Sequence, residues 1–94
     1  MVAEVTAREI GRITLAEALE ITILIARRDS RRHQRVAVHW LQRYIDEHPG
    51  VTLDDAGLAG SCLTALTGRN GEDAAVTLRA MSDRATGRRA RQAF

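Results

Sequence analysis

The clearest periodicity in this chain lies in residues 31–48, RRHQRVAVHWLQRYIDEH. Apolar side chains recur there at positions i, i+1, i+4, i+5, i+8 and i+9, namely Val36, Ala37, Trp40, Leu41, Tyr44 and Ile45. This spacing places one apolar stripe along a helix whose other faces are charged. Asp29 or Ser30 supplies an N-cap, and Pro49-Gly50 ends the segment. We therefore predict an amphipathic helix in which Trp40 is the core anchor and packs against the preceding helix.

The preceding helix is predicted over residues 15–28. Thr14 and Glu17 have the spacing of a capping box, in which each side chain bonds the other residue's backbone N–H. Apolar residues cover most of the circumference of this helix, so we expect it to be central and buried on more than one side. Residues 21–25 are also compatible with a strand, but the cap and the length of the segment favour a helix.

Two more helices follow, over residues 53–66 and 72–86. Thr52 caps the third, and its run of small residues, AGLAG at 56–60, permits close approach of a neighbouring helix. A turn at residues 68–71 separates it from the fourth, which Gly87 is predicted to end. Residues 6–9, TARE, also have capping-box form and predict a short extra helix within residues 1–12.

The composition indicates one small all-α domain. The 94 residues are 45% hydrophobic and include fifteen alanines but only three aromatic residues, which favours closely packed helices over a β-sandwich. We predict a single domain over residues 1–94, a bundle of four main helices with flanking arms at 1–12 and 88–94. No apolar run approaches the ~20 residues of a membrane span. The start of the chain does not resemble a secretory signal, and one cysteine indicates no disulfide, so the cytoplasm is the expected location.

Charge is unevenly distributed along the chain. All fourteen basic residues are arginine, and although the net charge is +2, residues 27–43 carry +5 and residues 79–94 carry +4. Arg31, Arg32 and Arg35 begin a helix, where each cation costs about 0.3–1 kcal/mol. Helix stability therefore does not explain these three arginines, whereas binding of a phosphate or carboxylate partner would. We name this candidate site the basic corner; it comprises Arg27, Arg28, Arg31, Arg32, His33 and Arg35.

Other candidate chemistry is weaker. His33, His39 and His48 lie six and nine residues apart, which places no pair at i and i+4, so we predict no metal site and no cofactor. His33 also fits as a continuation of the apolar stripe. Cys62 is predicted to be a small buried thiol, because no base or activating cation adjoins it. The small residues near Gly60 fit helix packing better than a helix-turn-helix.

Residues 13–86 resemble a group of small helical proteins from high-GC bacteria. The resemblance rests on LAEAL at 15–19, on IARRD at 25–29 followed by Arg32 and Arg35, and on Val36-Ala37 ahead of Trp40-Leu41. It covers about four fifths of the chain. The group has no assigned activity, so the resemblance implies no site residue.

These observations predict a non-enzymatic interaction or adaptor module that binds an acidic protein surface or a second copy of itself. In a two-fold antiparallel pair, Arg31 and Arg35 would lie near residues 46–47, Asp-Glu, of the other copy. The alternative is a nucleic-acid accessory protein, although aromatic residues that could stack on bases are nearly absent from the arginine-rich segments. A third interpretation is a solvated charged face, with Glu17 or Glu20 neutralising Arg43.

Overall fold

The computed structural model describes the backbone of residues 13–92 and the side chains of residues 13–87. Four helices occur in these residues, and no strand does: α1 (Leu15–Arg28), α2 (Ser30–Glu47), α3 (Leu53–Ala65) and α4 (Gly71–Gln92). Helix α1 packs against α2 and α4, and α3 also packs against α2 and α4. Each helix therefore contacts two others, which confirms the all-α bundle of four main helices.

The helix starts follow from local hydrogen bonding. Thr14 and Glu17 form the predicted capping box at α1, and Thr52 forms a second one with Asp55 at α3. Asp29 caps α2, with its carboxylate accepting hydrogen bonds from the first backbone N–H groups of that helix. Side-chain acceptors at these positions satisfy N–H groups that have no partner inside the helix.

The core is centred on the apolar stripe of α2. Trp40 and Tyr44 are buried, and their rings stack with centroids 5.3 Å apart. The indole Nε1 of Trp40 donates a hydrogen bond of 3.0 Å to the carbonyl oxygen of Leu15 on α1. The prediction that Trp40 anchors α2 on the preceding helix is confirmed. Helix α1 is buried on two sides, although Leu24 remains 48% exposed.

The predicted end of the fourth helix is wrong. Helix α4 continues through Gly87 to Gln92, so residues 88–92 are helical. Gly87 does not adopt the left-handed conformation that ends many helices, and nothing lies within 4 Å of where its Cβ would be. The extra helix predicted in residues 1–12 lies outside the described residues. Between residues 13 and 92, no helix has the length and apolar character that crossing a bilayer requires.

Candidate functional site

The basic corner is built by a connection of one residue. The backbone N–H of Asp29 donates to the carbonyl of Ile25 at 2.7 Å, which closes the end of α1. Its Oδ1 accepts from the backbone N–H groups of Arg31 and Arg32 at 3.2 and 3.4 Å, which opens α2. One residue therefore serves both helix ends, and the arginines on either side of it are held at the same end of the α1/α2 pair.

The arginines of the corner differ in their partners. Arg27 forms an ion pair with Glu72 at the start of α4. Four others have no acidic side chain within ion-pair distance anywhere in residues 13–87; they are Arg28, Arg31, Arg32 and Arg35. Three of these four are exposed and Arg32 is half-buried. The corner thus presents unpaired guanidinium groups beside the positive end of a helix dipole.

The arginines of the helix seams, in contrast, are paired. Arg79 on α4 forms a two-pronged ion pair with Glu20 on α1, at 2.7 and 2.8 Å. The hydrogen bond from Arg79 lowers the pKa of Glu20 and raises that of Arg79. Arg43 on α2 bonds Glu47 at 2.7 Å.

The predicted neutralisation of Arg43 by Glu17 or Glu20 is therefore wrong. Helix α4 brings Arg79 to Glu20, and the side chain of Glu17 is engaged in the cap of α1. Arg43 is satisfied instead by Glu47, one turn along its own helix, and by the main-chain carbonyl of Ile13 at 2.9 Å. The packing of α4 against α1 therefore provides the partner of Glu20, and the next turn of α2 provides the partner of Arg43.

The structure separates His33 from the exposed arginines of the corner. The residue is 5% exposed, and its Nε2 lies 2.7 Å from the carbonyl oxygen of Leu63 on α3. That nitrogen is therefore not available to donate a hydrogen bond to an external partner. The position of His33 one turn before Ala37 in the apolar stripe was the sequence signal for this burial.

A groove runs between α2 and α3, and we call it the α2/α3 groove. It has a volume of about 340 Å³, and His33 is among the residues that line it. Helix α3 passes through Gly60 without interruption, and a Cβ there would lie 3.9 Å from Cδ2 of Leu41. This continuous helix supports the packing interpretation of the small residues over a helix-turn-helix.

Other reactive groups form no site within residues 13–87. Cys62 is half-buried, and burial raises the pKa of its thiol, so the nucleophilic thiolate is disfavoured. No group of three histidine, cysteine or acidic side chains in the described part of the chain could hold a metal ion.

Comparison with known protein families, curated proteins and solved structures finds no match to this chain. The resemblance to small bacterial helical proteins stays a prediction. The chemistry of the corner is nevertheless defined by its groups: planar guanidinium forks suit the paired oxygens of carboxylate and phosphate.

Proposed function

We propose that this chain is a non-enzymatic, cytoplasmic interaction module, and that the basic corner binds an acidic surface on a protein partner. The observation that carries the proposal is the position of unpaired arginines. Arg69 and Arg84 also lack acidic partners within residues 13–87, but Arg31 and Arg32 lie unpaired in the first turn of α2. Cations at the start of α2 oppose its dipole, so they contribute nothing to folding that would account for them.

A second copy of the chain is one partner with the required chemistry. Arg35 and Asp46 lie eleven residues apart on α2, close to three helical turns, and therefore share a face. Both are exposed, and neither has an ion-pair partner within residues 13–87. An antiparallel pairing of α2 with its copy would bring each Arg35 to the other Asp46. Glu47 is already bound by Arg43, so Asp46 is the acid that remains available.

A nucleic-acid partner is the alternative, because a helix N-terminus with arginines also attracts phosphate. Single strands are usually bound through aromatic side chains that stack on bases. Trp40 and Tyr44 are both buried in the core, which disfavours this alternative.

The test is charge reversal at the corner. We expect the double variant Arg31→Glu/Arg35→Glu to lose binding to a poly-glutamate peptide, and to lose any self-association seen by light scattering at low salt. The matched control is Arg69→Glu/Arg84→Glu, which makes the same change in net charge at two exposed arginines outside the corner. The control should bind like the parent.

Stability provides the second readout. The double variant should be as stable as the parent or more stable, by about 0.3–1 kcal/mol from Arg31→Glu in the first turn of α2. Parental peptide binding and self-association in the corner variant would contradict the proposal. Binding of mixed-sequence duplex DNA with a log–log salt slope near −4 to −5 would instead support the nucleic-acid alternative, with about five phosphates contacted.

A further inference from the structure

Helix α2 has a second apolar stripe, which faces away from the core. Val38 and Ile45 lie seven residues apart, close to two helical turns, and therefore share one line along the helix, with Leu41 between them. Val38 is 61% exposed and Ile45 is 42% exposed, while Leu41 is half-buried at the α2/α3 groove. We call these three residues the outer stripe. Their spacing of three and four residues is that of a seam between two packed helices.

Opposite charges flank the outer stripe on one side. Arg35 and Asp46 are both exposed, and neither lines the α2/α3 groove on the other side of the stripe. Asp46 lies in the last turn of α2, where the helix dipole disfavours an acid, so helix stability does not account for its charge. The two charges lie at opposite ends of the stripe. A surface with an apolar middle and one charge of each sign at its ends is complementary to its own reverse.

We infer that the occupant of this face is a second copy of the chain, whose α2 runs antiparallel to the first with Val38 of each copy opposite Ile45 of the other. In that register Arg35 lies within two residues, about 3 Å along the helix axis, of the position opposite Asp46 of the copy. The two-fold axis keeps each flank on one side of the interface, so Arg35 meets Asp46 of the copy and not its Arg35. Every dimer therefore contains two apolar contacts and two ion pairs.

This pairing deepens the proposed function, on which it rests for the role of Arg35, by naming a second copy as the acidic partner of that residue. The same register places Arg31 opposite position 52 of the copy, beyond the end of its α2 at Glu47. Arg28, Arg31 and Arg32 therefore stay free for a further acidic partner. The two basic corners lie at opposite ends of the dimer, roughly 30 Å apart at the rise of an α-helix.

The test exchanges the charges at the ends of the stripe and measures the mass of the full chain by sedimentation equilibrium in low salt, up to millimolar concentration. We expect the parent to be a dimer. Arg35→Asp brings two acids together at both ends and Asp46→Arg brings two arginines together, so each variant alone should dimerise at least about tenfold more weakly. An equimolar mixture of the two variants restores opposite charges at both ends and should dimerise like the parent.

Arg84→Asp and Asp83→Arg are the matched controls, because they make the same charge changes at exposed positions of α4. Each control should dimerise like the parent, which separates the position of a charge from its effect on net charge. A parent that is monomeric at millimolar concentration would overturn the inference. A mixture of Arg35→Asp and Asp46→Arg that stays monomeric would do the same, as would masses that grow past the dimer, since a two-fold interface closes on itself.

A pair of valine variants tests the apolar part of the interface. Val38→Gln on α2 and Val76→Gln on α4 make the same neutral change at side chains that are 61% and 62% exposed, so both variants should fold. The first should dimerise at least about tenfold more weakly, since each dimer contains the contact twice, and the second should dimerise like the parent. Parental dimerisation of Val38→Gln would show that the outer stripe is not the interface.

Binding of the poly-glutamate peptide separates this inference from the proposed function. Val38 lies outside the basic corner, so Val38→Gln should lose the dimer and still bind the peptide. A monomeric parent that binds the peptide would overturn the pairing alone. A dimeric parent that does not bind it would contradict the acidic protein partner alone.

Discussion

Two rings in the apolar stripe of α2, two turns apart, make the same kind of hydrogen bond with different results. The ring N–H of Trp40 donates to the carbonyl of Leu15 on α1, and the ring N–H of His33 donates to that of Leu63 on α3. Trp40 is fully buried and stacks on Tyr44, so the contact with α1 is filled. His33 is smaller; a groove remains between α2 and α3, and Nδ1 of His33 has no hydrogen-bond partner within residues 13–87. Each ring donor bonds a neighbouring helix, but only the larger ring, that of Trp40, fills the space between the two helices.

Removing the larger ring should have the largest effect. Trp40→Ala leaves a cavity at the α1/α2 contact and removes the hydrogen bond to the carbonyl of Leu15, so we expect a loss of about 3–5 kcal/mol in the free energy of unfolding. Urea denaturation followed by circular dichroism measures it. Trp40→Phe should lose less, because most of the packing is kept. A Trp40→Ala protein that melts within a few degrees of the parent would contradict the role of Trp40 as anchor.

The smaller ring should matter less, because part of its surroundings is already empty. His33→Phe keeps an aromatic ring but leaves the carbonyl of Leu63 with only the 3.4 Å hydrogen bond from the backbone N–H of Leu66. The loss of one net hydrogen bond predicts a decrease of about 0.5–1.5 kcal/mol in the free energy of unfolding. The matched control is His39→Phe, at an exposed position of the same helix, where we expect a change within ±0.5 kcal/mol. Equal denaturation midpoints for the two variants would show that the bond to Leu63 contributes nothing measurable.

Trp40 and His33 also show which features the sequence can predict and which it cannot. The stripe on α2 predicts that Trp40 is buried, because the periodicity of one helix is enough to define its inner face. The same periodicity allows burial of His33, but the acceptor on Leu63 lies thirty residues away and no local pattern indicates it. Sequence position alone therefore also places His33 among the surface donors of the basic corner.

Short sequence patterns predict the caps and the starts of the helices correctly. They do not predict side-chain contacts between helices that are distant in the sequence. The capping box at Thr14 depends on residues three apart, and it is present as predicted. The partner of Glu20 is fifty-nine residues away on α4, so spacing along α1 and α2 could not identify Arg79. Gly87 was expected to end α4, yet glycine ends a helix through its backbone conformation, which composition does not determine.

The ion pair between α1 and α4 should give the smallest effect, because it connects two helices at the surface instead of in the interior. Both side chains of the Glu20–Arg79 pair are about half exposed, and such pairs contribute about 0.2–1 kcal/mol. Glu20→Gln should lower the free energy of unfolding by that amount at pH 7. Asp83→Asn is the control, an exposed acid with no ion-pair partner in the described part of the chain.

The direction of the pH dependence follows from the pKa of Glu20, which Arg79 lowers in the folded state. The stabilisation is present above the unfolded pKa, about 4.3, and is lost as the pH falls through the lower folded value. The difference between parent and Glu20→Gln should therefore shrink below about pH 4, and it should also shrink in high salt. A difference that is constant from pH 7 to pH 3 would contradict an ionic origin.

The single residue between α1 and α2 has a thermodynamic consequence for recognition. Since Asp29 closes one helix and opens the next, the backbone around the corner is already ordered before anything docks. A partner that binds there would immobilise arginine side chains, at about 0.5–1.5 kcal/mol each, without the additional entropy loss of ordering a loop. The shortness of the turn makes the corner a preorganised surface.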